Sequence, residues 1–160
     1  MIYFRLFLIT MALLLTSCID NEESLGSAML KADTIDETIM YSKKLETFKE
    51  AALPVYIEII NILIVDEHKL NNYGKINVCL DSLLNLAKKG IHSKDETIAL
   101  LNIIEKQRFI NDTLKTAKIL ETITGIDVGY NENFVKKYSS ESEDSRTKML
   151  KSWREYLDGQ

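Results

Sequence analysis

From Asp33 onward, apolar residues recur along the chain at the spacing of a helix face. Ile35, Ile39, Leu45 and Phe48 lie near a 3.6-residue period, with Asp36, Glu37, Lys43 and Lys44 between them; this predicts an amphipathic helix. Ile76, Cys79, Leu80, Leu83, Leu84 and Ala87 make a second stripe. It stops at Gly90 after Lys88 and Lys89, and a glycine behind two cations suits a helix C-terminus. Ser93-Lys94-Asp95-Glu96 has the form of a capping box, in which the serine accepts from the backbone and the glutamate reaches back. The helix it opens runs through Ile98, Leu101, Ile104 and Glu105. Asn111 or Asp112 is expected to cap the next helix, with Leu114, Ala117, Leu120 and Thr124 on its stripe and Gly125 at its end. The Ser-Ser-Glu-Ser-Glu run around Ser140 supplies a further start signal, and Met149, Leu150, Trp153 and Leu157 line a last helix.

Val55–Val65 is the ambiguous segment. Its β-branched content and alternation permit a strand. Pro54, which suits the first turn of a helix, the helical flanks and the lack of a second strand to pair with favour a buried helix. Short connections predict antiparallel neighbours. The expected fold is all-α: a short irregular helical-repeat array or a bundle of about five to six helices.

Composition narrows the picture. A chain of 160 residues with 46% hydrophobic and 28% charged residues is of single-domain size and globular character. One Pro and six Gly leave few turn residues for a β-sandwich, and two Cys cannot build a disulfide scaffold. A net charge of -4 gives no reason to expect nucleic-acid binding.

The N-terminus reads as an address. Arg5 precedes an apolar stretch, Leu6–Leu15, and the uncharged run to Ile19 is 14 residues. That is shorter than the roughly 20 a membrane-spanning helix needs and fits a secretory signal peptide. Leu15-Thr16-Ser17-Cys18 resembles the bacterial lipobox: a branched apolar residue, two small residues, then a cysteine. The resemblance implies signal-peptidase recognition through Leu15, Thr16 and Ser17, cleavage before Cys18, and acylation of its thiol. Several acyl chains make a stable anchor where one is marginal. The acidic run behind it, Ile19-Asp20-Asn21-Glu22-Glu23, resembles the surface-export signal of Bacteroidota lipoproteins; the rival reading is a solvated tether at the periplasmic face of the outer membrane. The expected organisation is therefore a signal peptide over 1–17, a lipidated cysteine and polar tether over 18–31, and one helical domain over 32–160. Losing Arg5 leaves 19 basic against 24 acidic side chains, and Cys79 becomes the sole thiol.

Two segments resemble bacterial HEAT-like helical-repeat proteins. Ala52-Leu53-Pro54-Val55-Tyr56-Ile57-Glu58-Ile59-Ile60 is similar to the start of a repeat helix. Thr124-Gly125-Ile126-Asp127-Val128-Gly129-Tyr130, followed by Trp153, is similar to a closing turn and terminal helix. No internal period is present, and the Asp-Arg pair of such repeat turns is missing. The resemblance implies stacked helices in which the Trp helix acts as a cap.

The chemical inventory is thin. His68 and His92 have no zinc spacing, and His68 suits the C-terminal end of a helix dipole. Cys79 sits on an apolar stripe with no base within a helical turn, as a core cysteine does. Asp127, Asn131, Glu132 and Asn133 gather oxygen ligands without an EF-hand spacing and equally specify a turn. No catalytic residue, metal site or cofactor is expected. Asp33-Thr34-Ile35, Asp81-Ser82-Leu83 and Asp112-Thr113-Leu114 resemble an O-glycosylation motif of exported Bacteroidota proteins, and Thr34 is the candidate acceptor. Aromatic residues concentrate binding energy at interfaces, so Tyr130, Phe134, Tyr138 and Tyr156 are the candidate partner-binding residues. The expectation is a non-catalytic interaction module held at the outer membrane by the lipid on Cys18, with a protein partner and no nucleic acid. The alternative is a periplasmic immunity or inhibitor lipoprotein that neutralises a toxin or enzyme.

Overall fold

The computed structural model describes residues 21–107, 110–127 and 142–159. Among them are seven α-helices and no strand: α1 Glu22–Lys31, α2 Ile35–Leu45, α3 Ala52–Leu63, α4 Leu70–Lys88, α5 Lys94–Lys106, α6 Ile110–Thr124 and α7 Ser142–Asp158. Short 3-10 segments, Glu46–Ala51 and Ile64–Asp66, flank α3. The fold is all-α, and Val55–Val65 is helical through Leu63 and 3-10 beyond it. Signal-peptide residues 1–17 and Cys18 lie outside the described residues.

The stretch expected to be a tether is, over Glu22–Lys31, a packed helix. Asn21 caps it: the Asn21 side chain accepts from the Ser24 N–H, and the Ser24 hydroxyl accepts from the Asn21 N–H. Leu25 and Met29, one turn apart, are buried together with Gly26. Glu22 and Glu23 occupy the first turn, where the helix dipole favours carboxylates. Two apolar residues among serines make a weak periodic signal, and burial of that pair outweighs the polar appearance of the segment.

The helices stack in two layers. Helix α1 packs on α2 and α3, α3 on α4 and α5, and α5 on α6; in the other layer α2 packs on α4 and α4 on α6. The main contacts of each hairpin are thus with the hairpin before or after it, the contact order of a helical stack. The connections are capped locally. Thr34 accepts from the Glu37 N–H at 3.2 Å while Glu37 answers to the Thr34 N–H, and Ser93 and Glu96 form the same reciprocal pair at α5. Gly90, at φ 75°, ends α4 in a left-handed residue, and the Ile91 N–H reaches back to the Leu86 carbonyl at 3.0 Å.

Helix α4 is the centre of the core. Ile76, Cys79, Leu80, Leu83 and Ala87 are buried as the stripe predicted, joined by Leu86, whereas Leu84 is half-buried. Other faces shift. The buried positions of α2 are Thr38, Ser42 and Leu45, with Ile35 and Ile39 half-buried at the flank. In α5, Leu100, Leu101, Ile103 and Ile104 are buried and Ile98 faces out. Helix α6 begins before Asn111, so Asn111 and Asp112 lie in its first turn rather than at its cap. At the end of the stack α7 buries Leu150 and Trp153, and Arg154 pairs with Glu105 of α5.

Candidate functional site

The outer side of α3 and the start of α5 enclose an open trough of about 650 Å³. Its long wall is one face of α3: Leu53 and Pro54, then Ile57 and Glu58, then Asn61 and Ile62, each pair about one turn further on. Its short wall is Ser93, Asp95, Glu96 and Ala99 at the start of α5, and Glu50 stands at the entrance. The trough exists because α3 is apolar on nearly every side. Tyr56, Ile59, Ile60 and Leu63 satisfy the core, Ile57 packs half-buried against it, and Ile62 is left over on the outer side, with Pro54, Glu58 and Asn61 between the two isoleucines. Ile62 is 50% exposed.

The rim is acidic. Glu50, Glu58 and Asp95 are exposed and make no ion pair with the described residues. Beside the trough the Lys106 ammonium donates to Asn61 Oδ1 at 3.4 Å. The positive end of the α5 dipole offsets part of the charge of Asp95, while Glu50 and Glu58, on the α3 side, make no ion pair with the described residues.

Glu96 ends the trough and is 4% exposed. Its Oε2 accepts from the Ser93 N–H at 3.2 Å, and its Oε1 is buried with no hydrogen-bond partner. An unmade hydrogen bond at a buried oxygen costs about 1–3 kcal/mol. Burial raises the Glu96 carboxyl to about 7, against the lowering effect of the Ser93 N–H.

Three other polar groups are sealed inside the stack. Asp112 meets Glu67, both almost fully buried, and accepts from Asn77 Nδ2 at 2.8 Å. Burial, then the hydrogen-bonded and negative Glu67, push Asp112 up to about 7 against Asn77 and Lys115. A proton held between the two carboxyls turns repulsion into a hydrogen bond. Ser42, Tyr56, Ser82 and Glu46 form a directional chain. The Tyr56 hydroxyl donates to the Ser42 carbonyl at 2.8 Å, Ser42 donates to Ser82 Oγ at 2.7 Å, and Ser82 donates to Glu46 Oε1 at 2.7 Å. Burial raises the Tyr56 phenol above its ordinary value. Lys75, also buried, donates from Nζ to the Leu30 carbonyl at 2.7 Å and so closes the C-terminal end of α1.

The candidates from sequence are scattered. Leu15, Thr16, Ser17 and Cys18 lie outside the described residues, as do Tyr130, Phe134 and Tyr138. Tyr156 is half-buried on α7 and does not line the trough. Thr34 is exposed, and its hydroxyl oxygen caps α2. Ser82 and Thr113 are buried. Cys79 is fully buried and burial pushes its thiol up, away from the reactive thiolate. His68, His92 and Asp127 are exposed. Among the described residues no group of three or more His, Cys, Asp or Glu is placed to hold a metal ion, and no helix is long and apolar enough to cross a membrane. No protein-family model matches the chain, and no curated protein or solved structure shows significant similarity to it.

Ser93 and Glu96 of the trough belong to the capping box and Leu53, Pro54, Ile57 and Glu58 to the HEAT-like segment, but nothing in the sequence brings the two segments together as a site. Glu58, Asn61 and Ile62 belong to the segment whose helical state is ambiguous in sequence. The available signal is an excess: once 52–63 is taken as a helix, its apolar residues cover more than the one face that a core requires.

Proposed function

We propose that this chain is a non-catalytic helical interaction module, anchored at the bacterial outer membrane through lipid on Cys18, that receives a protein partner in the α3/α5 trough. The half-exposed Ile62 beside Leu53, Pro54 and Ile57 in an open trough carries this reading, because an exposed apolar patch with a polar rim is the usual mark of an interaction surface. The lipobox Leu15-Thr16-Ser17-Cys18 supports the anchor. With Asn21 as the first cap of the domain, only residues 19–21 separate it from Cys18. Three extended residues reach about 10 Å, so the module lies close against the membrane rather than on a long leash. The HEAT-like resemblance fits the stacked hairpins, and Thr34, on an exposed turn, remains the proposed glycan acceptor. Tyr130, Phe134, Tyr138 and Tyr156 stay as secondary candidates for partner contact.

The acidic rim favours a second reading, an immunity or inhibitor lipoprotein, since a carboxylate-lined trough suits a basic toxin or enzyme.

A photo-crosslinking residue in place of Ile62 tests the interaction reading in intact cells. One discrete adduct is expected from membranes, lost when Cys18→Ala releases the protein. Absence of an adduct at Ile62, or an equal yield from a control position at His68, overturns it. Mass spectrometry of the mature N-terminus with and without globomycin tests the anchor separately.

A further inference from the structure

We infer that the α3/α5 trough binds a basic amphipathic helix of a partner protein, with the apolar stripe of that helix on Ile57 and Ile62 and its cations on Glu50, Glu58 and Asp95. The inference deepens the interaction reading and rests on it, but not on the lipid anchor.

Three observations select this occupant. The first is shape. The α3 wall from Leu53 to Ile62 is about 14 Å long at the helical rise, and the trough is open along its side. That suits about two and a half turns of a helix lying alongside α3, the groove mode of helix recognition. The second is the mixture of apolar and acidic positions. Ile57 and Ile62 offer hydrocarbon on either side of Glu58 and Asn61, with Leu53 and Pro54 one turn earlier. A partner with leucines at every third or fourth position and lysine or arginine flanking them matches both. The third is charge balance: Glu50, Glu58 and Asp95 make no ion pair with any cation among the described residues. At the far end Glu96 Oε1 lacks a donor. A lysine or arginine brought there, with a turn of the carboxyl, supplies one that the chain does not. An acidic or neutral apolar helix would cover the floor and leave the rim repelled or unpaired, and oligolysine would meet the rim and leave the floor wet.

The test uses the full chain in nanodiscs of zwitterionic lipid, with empty nanodiscs as baseline. The probe is a fluorescent Leu/Lys helical peptide of about four turns carrying a photo-crosslinker on its apolar face. Saturable binding is expected, with crosslinks confined to 50–62 and 93–99. Binding should weaken with salt. Glu50→Lys with Glu58→Lys should weaken it by about tenfold or more, and so should Ile62→Ser, while thermal unfolding stays unchanged because all three positions are exposed and none lies in the first turn of a helix. A Leu/Glu peptide should not compete. Affinity indifferent to the charge exchange, equal competition by oligolysine, crosslinks elsewhere on the fold, or a second copy of the chain seated on Ile62 overturns the inference. An adduct at Ile62 in cells alongside any of these leaves the interaction reading standing and removes only the basic helix.

Discussion

Glu96 uses its two carboxyl oxygens differently, one as a cap and one as a buried atom without a donor. Two buried carboxyls, Glu96 and Asp112, hold their protons up to about pH 7 in the folded chain. In the unfolded chain they release them near 4, the ordinary range for carboxyls. The folded state therefore binds more protons between these limits, and the stability they contribute is full below about pH 4 and is lost as pH rises through 7. Every tenfold gain in proton affinity on folding is worth about 1.4 kcal/mol. Glu96→Gln keeps the cap and removes the titration. Its unfolding midpoint in urea should equal or exceed that of the parent at pH 8, with the advantage shrinking at pH 5. A parent and variant that track in parallel across that range would show that Glu96 does not titrate with folding. Polar residues at buried positions were the part of the core least legible in sequence. Thr38 and Ser42 occupy the centre of the α2 face because each hydroxyl finds an acceptor, the Thr34 carbonyl and the Ser82 hydroxyl respectively. An apolar-periodicity argument places the nearest isoleucines there instead.

Helices with strong start signals were legible as elements. The capping box at Ser93 and the stop at Gly90 lie where the residues said, and the α4 stripe is nearly complete in the core. Helix α1 is not legible in this way because its buried contacts are long-range. Gly26 shows why: a Cβ built there would lie 2.5 Å from Val55 Cγ1 of α3. A glycine inside a short polar segment reads as a breaker, yet here it lets two helices approach. Alanine at an unconstrained helix position gains about 1 kcal/mol over glycine, whereas overpacking costs about 1–3 kcal/mol. Gly26→Ala should therefore lower the melting temperature, because Val55 is β-branched and has little freedom to withdraw. Adding Val55→Ala should recover part of the loss. A rise in melting temperature for Gly26→Ala alone would mean that α1 and α3 are further apart. The trough itself was legible only as a surplus of apolar positions on α3. Its acidic rim comes from α3, from α5 and from the turn before α3, a juxtaposition that no local pattern encodes.

At the scale of the molecule, the two-layer stack means that each hairpin is supported by its sequence neighbours. Fully buried Cys79, in the middle of α4, lies at the only level with hairpins on both sides among the described residues. At the end of the stack Trp153 and Leu150 of α7 are buried in the same core, and the Arg154–Glu105 pair links α7 to α5. The Thr-Gly-x-Asp turn proposed from sequence to precede this cap ends, among the described residues, at Asp127. The terminal position of Trp153 was legible from the sequence; its partner helix was not.

Near-neighbour stacking also governs how the chain assembles and comes apart. Contacts that rarely skip a hairpin give a low contact order, which favours rapid folding by propagation from whichever hairpin nucleates first. The same property makes opening graded rather than all-or-none. Amide exchange should be slowest in the middle of α3 and α4, which have neighbours on both sides, and fastest in α1. Uniform exchange rates across α1 to α6, measured by mass spectrometry, would show one cooperative unit instead. Because the proposed trough joins α3 to α5, an occupant would act as a splint between two hairpins, and the change in exchange on binding should spread into α6 rather than stop at the trough.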